Sequence, residues 1–283
     1  PSQTLHSLMY FPIINEHTGA IIGWDKSKSL PCDILIIDEF SMLTEEMIKD
    51  ILKYDTKVIF SGDEKQLPAV GLDTNYLEDK IDFTLTEIVR QAEGNPIIKY
   101  ANLVRQGFQL KAGINERTEQ GMFITISRND IASINKVKDK VDLIICGTNK
   151  LRHSLNLEWR AKNGLSKDLV VGESVVILRN NKNYGVFNGQ IAKINEIIET
   201  ITDKIGMKCH LVDTDLGKFY ISDLTIQEPD FNFNNYLWEN RSKIAQVDNY
   251  IEPLFTNSAV ALTCHKMQGS QARSILIFAN DLL

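Results

Sequence analysis

The chain has 283 residues, of which 43% are hydrophobic and 24% charged, and its net charge is −6. These proportions exclude a disordered or collagen-like chain, and no apolar run approaches the ~20 residues that a membrane-spanning helix needs. The charge is uneven: residues 1–84 carry 7 basic and 15 acidic groups and the other 199 carry 24 and 22, which excludes a basic coat for nucleic acid but not a narrow strand-gripping groove.

The opening residues, Pro1 to Tyr10, have neither the basic start nor the apolar stretch of a signal peptide. With no initiator Met, and with SILIF, a core-like strand, close to the end, the chain is expected to come from a longer protein. Cys32, Cys146, Cys209 and Cys264 form no CxxC pair. They read as reduced thiols of a cytoplasmic protein, bacterial or of a phage-infected cell, rather than as zinc ligands or disulfides.

In chain order, the first expected element is a β-hairpin at about 9–24. Apolar Tyr10–Ile14 and Ala20–Trp24 flank a polar turn, Asn15–Gly19. Gly19 supplies the permissive backbone and Pro12 requires an edge. Asp33–Ile37 is a buried strand ending in Asp38-Glu39. A helix follows, capped by Ser41 or Thr44, with Met47, Ile48, Ile51 and Leu52 on one stripe. Lys57–Phe60 is the next strand, ending in Ser61-Gly62-Asp63. Asn95 then caps a helix with Pro96 in its first position, Ile97, Ile98, Ala101 and Val104 on one face, and Gly107 as its stop. Val141–Cys146 is another apolar strand. Strands alternating with helices imply an α/β fold with a parallel sheet.

After about residue 166 the pattern changes. Asp168–Leu178, Gly189–Glu199, Lys208–Val212 and Lys218–Thr225 read as short strands of an antiparallel barrel or sandwich. Residues 229–257 are aromatic and Asn-rich without a clear period. The α/β pattern returns at Val260–Thr263 and Ile275–Phe278, so the barrel reads as an insertion.

Two segments carry chemistry. ILIIDEFS, 34–41, delivers two adjacent carboxylates at the C-terminal end of a strand, where open α/β sheets bind ligands. An Asp there can hold Mg²⁺ and a Glu can polarise an attacking water; acids at a helix start are also favourable for structural reasons alone. SGDEKQLPAVG, 61–71, places Gly62, Asp63 and Gln66 at the next strand end, and a Gln can sense a γ-phosphate because it donates and accepts without charge. The pair, in this order, is far more specific than either segment.

With these two segments in place, the chain resembles a superfamily 1 DNA helicase of the RecD/Dda branch. DEFS resembles the family's Walker B motif and GDEKQLPAVG its third motif. ALTCHKMQGSQ, 261–271, resembles the fifth, LTEIVRQ, 85–91, the fourth, TLHSL, 4–8, the T-x-H-S stretch, and ICGTNKLRHSLN, 145–156, the Thr-Asn segment of the second motor domain. The resemblance implies that Asp38, Glu39, Gln66 and Arg90 are catalytic, Asp38 as the Mg²⁺ ligand and Arg90 as an arginine finger. It puts Gly62, Asp63, Gln268 and Gly269 at the nucleotide. Thr4, His6, Ser7, Thr148, Asn149, Thr263, His265 and Lys266 would contact single-stranded DNA, and His17 would sit at the tip of a strand-separating pin. The implied protein uses ATP and Mg²⁺, moves 5′ to 3′ on single-stranded DNA and opens fork duplex, as in replication, repair or recombination.

The implied architecture is two RecA-like domains with an SH3-like insertion: 1–84 for the first, 85–165 and 258–283 for the second, and 166–257 for the insertion and connecting segment. Gln271 stands where the family often has an acid. No GxxxxGK[ST] occurs and no arginine-bearing sixth motif follows, so these 283 residues alone are expected to lack ATPase activity. The alternative is a non-catalytic single-stranded nucleic-acid-binding protein derived from such a helicase.

Overall fold

The computed structural model describes residues 3–14, 21–69, 76–77, 80–85, 94–165, 168–181, 183–203, 205–222, 233–247, 252–268 and 270–282. The chain divides into two compact units, Pro1–Ser133 and Ile134–Leu283. No helix among the described residues is long and apolar enough to cross a membrane.

In the first unit, β1 (Tyr10–Ile14) pairs antiparallel with β2 (Ile21–Lys26), Tyr10 standing opposite Lys26 and Pro12 opposite Trp24. The connecting residues, His17 among them, lie outside the described residues. β3 (Ile34–Ile37) pairs in parallel with β4 (Lys57–Phe60), and the helix Glu45–Ile51 crosses between them. β3 is not the buried strand expected from its sequence: Leu35 and Ile37 face the core with Val58 and Phe60, while Ile34 and Ile36 are exposed on the opposite face. Of the two candidate caps it is Thr44 that acts, its hydroxyl accepting from the Met47 N–H at 3.3 Å. The helix buries Ile48 and Ile51 against Met9, Ile37, Phe40 and Leu43.

One charged residue of this helix also faces inward. Asp50 is 3% exposed. Its carboxylate accepts from the Tyr10 hydroxyl at 2.8 Å and pairs with Lys26 at 2.7 Å and Lys53 at 2.9 Å. Tyr10 and Lys26 are the facing residues at the base of the hairpin, so one carboxylate ties both strands to the helix. Hydrogen bonds from Lys26, Lys53 and Tyr10 hold Asp50 well below the usual carboxylate range, while burial, then the Asp50 bond, pushes Tyr10 up to about 12. Because the folded carboxyl is the stronger acid, its stabilisation is complete above the ordinary carboxylate range and fades as pH falls through and below ~4. Asp50→Asn is therefore expected to lower the urea midpoint at pH 7, with the gap to the parent closing in acid. A gap independent of pH would show that the charge is idle.

The helix Pro96–Arg105 starts as its sequence predicts, Asn95 Oδ1 accepting from the Ile97 N–H at 2.9 Å, and Gly107 ends it at φ 86°. A second hairpin, β5 (Asn115–Thr118) with β6 (Gly121–Ile124), was not expected from sequence. Its strands have four residues each, too few to show a period, and β5 is polar throughout. It is held to the helix by Tyr100, which stacks on Phe123 with centroids 4.4 Å apart and donates to Glu116 at 2.8 Å.

In the second unit, β7 (Leu143–Cys146) is buried at all four positions and leads into the helix Asn149–Lys162. Five strands, β8 (Ser174–Ile177), β9 (Ile191–Thr202), β10 (Lys208–Thr214), β11 (Gly217–Ser222) and β12 (Leu254–Ser258), close a barrel in the order β10-β11-β12-β8-β9. Val175, Ile177, Ala192, Ile194, Val212, Phe219, Ile221 and Leu254 fill it. β13 (Ala261–Thr263) and β14 (Ile275–Ile277) then flank β7 in a parallel three-stranded sheet.

Closure decides the expected choice between barrel and sandwich. It depends on β12, which lies in the segment that reads as aperiodic. β12 is buried at every position, so its sequence shows no alternation. It pairs antiparallel to β8 but parallel to β11, so the barrel is not antiparallel throughout as expected: the long connection through residues 223–253 brings the chain back in the same direction. The helix Phe233–Ile244 falls in the same segment.

Under the barrel, Arg160 and Glu173 form a buried ion pair. Arg160 also donates to the Asp168 carbonyl, and the Ser258 hydroxyl donates to Glu173. Nearby, Asn156 donates to the carbonyls of Ser258 and Ala261 at 2.9 and 3.1 Å and accepts from the Ala261 N–H at 2.8 Å.

Candidate functional site

In the first unit the two motif-bearing strands end side by side, Ile37 beside Phe60. Their loops are bonded to each other: the Ser61 N–H donates to the Ile37 carbonyl at 2.7 Å and the Phe40 N–H to the Ser61 carbonyl at 3.1 Å. Gly62 permits this approach. A Cβ there would lie 2.8 Å from the Phe40 ring and 2.9 Å from its backbone nitrogen. Its smallness thus serves the packing of one loop on the other.

Glu39 is the only described non-glycine residue with positive φ, at 55° with ψ 49°. Such a conformation costs ~1–2 kcal/mol for a residue with a side chain. It is held by the Asp38 carboxylate, which accepts from the Glu39 N–H at 3.0 Å, and by the Met42 N–H, which donates to the Glu39 carbonyl at 3.1 Å. The bend turns the chain sharply between two adjacent carboxylates. Asp38 is exposed and one of its oxygens has no partner among the described residues, which suits a hard oxygen-seeking cation. No three His, Cys, Asp or Glu side chains gather as a metal cage among the described residues; Mg²⁺ carried on phosphates needs only one or two protein oxygens.

Asp63 has protein partners that the sequence did not indicate. Arg105 pairs with it at 2.5 Å and the Lys65 N–H donates to it at 3.0 Å, and the guanidinium holds its carboxyl below the usual range. Gln66 closes the turn, its N–H donating to the Asp63 carbonyl at 3.1 Å. At the start of the unit, Thr4 caps the short helix Leu5–Met9 and exchanges hydrogen bonds with Ser7. His6 is exposed, its ring 4.8 Å from both Tyr10 and Trp24. Arg90, Gly269 and His17 lie outside the described residues.

In the second unit, Cys146 stands beside Thr263 on the parallel strands β7 and β13, which brings the Thr-Asn segment next to the fifth-motif segment. Thr148 caps the helix, accepting from the Leu151 N–H at 3.2 Å. Its hydroxyl also faces Asp281, whose carboxylate accepts from the N–H groups of Gly147 at 2.6 Å and Thr148 at 2.7 Å. Gly147 is required there, since a Cβ would lie 1.8 Å from the Asp281 carbonyl oxygen. Asn149 is exposed, Thr263 buried, and His265, Lys266 and Gln268 half-buried. The Gln268 side-chain oxygen is buried without a partner among the described residues. Burial, then the charge of Arg152, pushes Lys266 down to about 8.

Sequence reasoning did not single out Arg105, Asp281, Asn156 or Arg152. The first three act through tertiary partners 42, 133 and 105 positions away, separations that no local pattern encodes. Arg152 left one signal: a cation in a helical stretch whose flanking face is apolar.

Residues 1–128 match the AAA domain family. A 109-residue stretch is 34% identical to the RecBCD enzyme subunit RecD of Buchnera aphidicola subsp. Schizaphis graminum, covering 35% of this chain and 17% of that protein. A 78-residue stretch is 37% identical to an uncharacterized protein of Acanthamoeba polyphaga mimivirus, covering 24% and 16%. The chain thus spans less than a fifth of either curated relative. Its fold is similar to Bacteroides Pif1 helicase solved with ADP-AlF3 and single-stranded DNA, at TM-score 0.52 and 19% identity over 96% of this chain and 72% of that one. It is likewise similar to Pif1 in a study of unwinding at forked duplex, at TM-score 0.51 and 19% identity over 97% and 70%. These likenesses bear out the resemblance to superfamily 1 helicases of the RecD kind and the α/β, RecA-like character of the fold.

Proposed function

We propose that this chain, RecD-like in its motifs and relatives, serves an ATP-dependent DNA helicase that translocates 5′ to 3′ on single-stranded DNA and opens forked duplex in the cytoplasm. The observation that carries the reading is the pair of bonded strand ends in the first unit. They join the loop that carries Asp38 and the sharply turned Glu39 to the Ser61-Gly62 loop that leads into Asp63 and Gln66, which supports this reading. In this reading ATP is the substrate, and a bound Mg²⁺ supplies charge neutralisation at its phosphates. Asp38 offers the oxygen that holds the cation, Glu39 takes a proton from the attacking water, and Gln66 senses the γ-phosphate. Arg90 completes the site as a finger.

Thr4, His6, Ser7, Thr148, Asn149, Thr263, His265 and Lys266 grip the strand. The closed barrel is the SH3-like insertion, and the β1–β2 hairpin, anchored by Asp50, is the separation pin with His17 at its tip. The test is unwinding of 5′-tailed and 3′-tailed duplexes by the full-length protein, beside DNA-stimulated ATP hydrolysis. Unwinding of only the 5′-tailed duplex is expected. His17→Ala is expected to cut unwinding several-fold and spare hydrolysis, because a stacking contact on a base is worth ~1–3 kcal/mol. Equal loss of both activities in that variant would place the wedge elsewhere. Strand binding without any hydrolysis would favour a non-catalytic binding protein.

A further inference from the structure

The first turns of two helices lie together in the second unit because the strands that feed them, β7 and β13, are parallel neighbours with Cys146 beside Thr263. Arg152 is the fourth residue of the helix Asn149–Lys162, and Lys266 the third of the helix Cys264–Met267. Arg152 is only 7% exposed, and its Nε and Nη1 are both buried with no hydrogen-bond partner among the described residues. Lys266 is half-buried, and the turn at Gly189 closes on its backbone, the carbonyl lying 3.4 Å from where a Cβ would be. Among the described residues neither cation is paired with a carboxylate. Asp281, an acid on this edge, is committed to the N–H groups of Gly147 and Thr148. The Arg152 charge adds to the burial that lowers Lys266, and Arg152 itself is lowered by burial.

A buried guanidinium without an anion is expensive, and a cation near a helix N-terminus is disfavoured further by the helix dipole. A buried and a half-buried cation together on the ligand-binding edge of a parallel sheet make that edge attractive to an anion. We propose that Arg152 and Lys266 together form a phosphate site, and that the phosphate belongs to the backbone of the single-stranded nucleic acid lying along Thr148, Asn149 and His265. This rests on the strand-gripping role proposed above and adds a ligand, Arg152, that the helicase motifs do not name. The guanidinium of Arg152 supplies N–H donors and a permanent charge, and Lys266 supplies a point charge.

The test uses thermal unfolding and oligothymidylate binding of the chain and of Arg152→Met. Without ligand, Arg152→Met is expected to melt about 3–6 °C higher, because an apolar side chain replaces an unpaired buried charge. Millimolar orthophosphate is expected to raise the melting temperature of the parent and not of the variant. Oligothymidylate affinity should fall about 10-fold, and the dependence of log K on log salt should become shallower by about one. If Arg152→Met does not fold, Lys266→Met, at a less buried position, carries the same readouts.

Lower stability in Arg152→Met with an unchanged phosphate response would make Arg152 a packing residue and overturn the proposal. A response to ADP that depends on Arg152, with no such dependence for oligothymidylate, would overturn the nucleic-acid ligand and assign the phosphate to a nucleotide. A chain that binds no oligothymidylate yet is stabilised by phosphate through Arg152 would uphold the anion site and sink the strand-gripping role instead.

Discussion

Glu39→Gln in the full-length protein is expected to slow ATP hydrolysis by about 10²–10⁴-fold, the usual worth of a positioned general base, while nucleotide binding survives. Asp38 keeps its carboxylate in that variant, and the amide keeps the shape of the side chain. Normal turnover would remove Glu39 from the chemistry. The backbone at this position separates catalysis from stability. Because Glu39 adopts a left-handed conformation, Glu39→Gly should also abolish turnover, yet raise stability by up to about 1 kcal/mol, since glycine adopts positive φ without a steric penalty. A more stable, inactive Glu39→Gly would show that strain is retained for the sake of the carboxylate. A less stable one would show that the side chain contributes to folding instead.

The second large effect concerns the buried pair of Arg160 and Glu173, which are 3% and 0% exposed. Removing one partner leaves the other charged and alone, a loss of about 3–5 kcal/mol. Arg160→Leu is therefore expected to unfold the second unit at a much lower urea concentration, read by circular dichroism. Replacing both charges with apolar residues should recover much of the loss, because the penalty comes from the orphaned charge rather than from the missing attraction. A double variant as unstable as the single one would show that the hydrogen bonds to Ser258 and the Asp168 carbonyl, rather than charge pairing, carry the stability.

Much of this was legible from sequence wherever a local rule governed the outcome. Thr44 and Asn95 cap helices because a short side-chain oxygen meets an orphan N–H. Ile34–Ile37 and Lys57–Phe60 became parallel strands ending in the two polar motifs. Local rules failed where burial was complete or the partner distant. β12 is buried throughout and shows no alternation, so a decisive strand of the barrel read as structureless. Asp63 stands out in the sequence as a candidate at the nucleotide, and only the fold adds that Arg105 pairs with it. The family's motifs named Thr148, but only the structure places Asp281 on its hydroxyl and N–H groups. A strand reaching that hydroxyl must compete with a carboxylate already in place.

The joint between the barrel and the sheet has a mechanical consequence. Only Ala259 and Val260 separate β12 of the barrel from β13 of the sheet, a span of at most ~7 Å, and Asn156 fastens both sides of that joint. A tether so short, pinned by three hydrogen bonds, leaves no slack for swinging. The insertion is an outrigger rather than a pendulum: any rotation of the three-stranded sheet is delivered to the rim of the barrel undamped and magnified by its distance from the pivot.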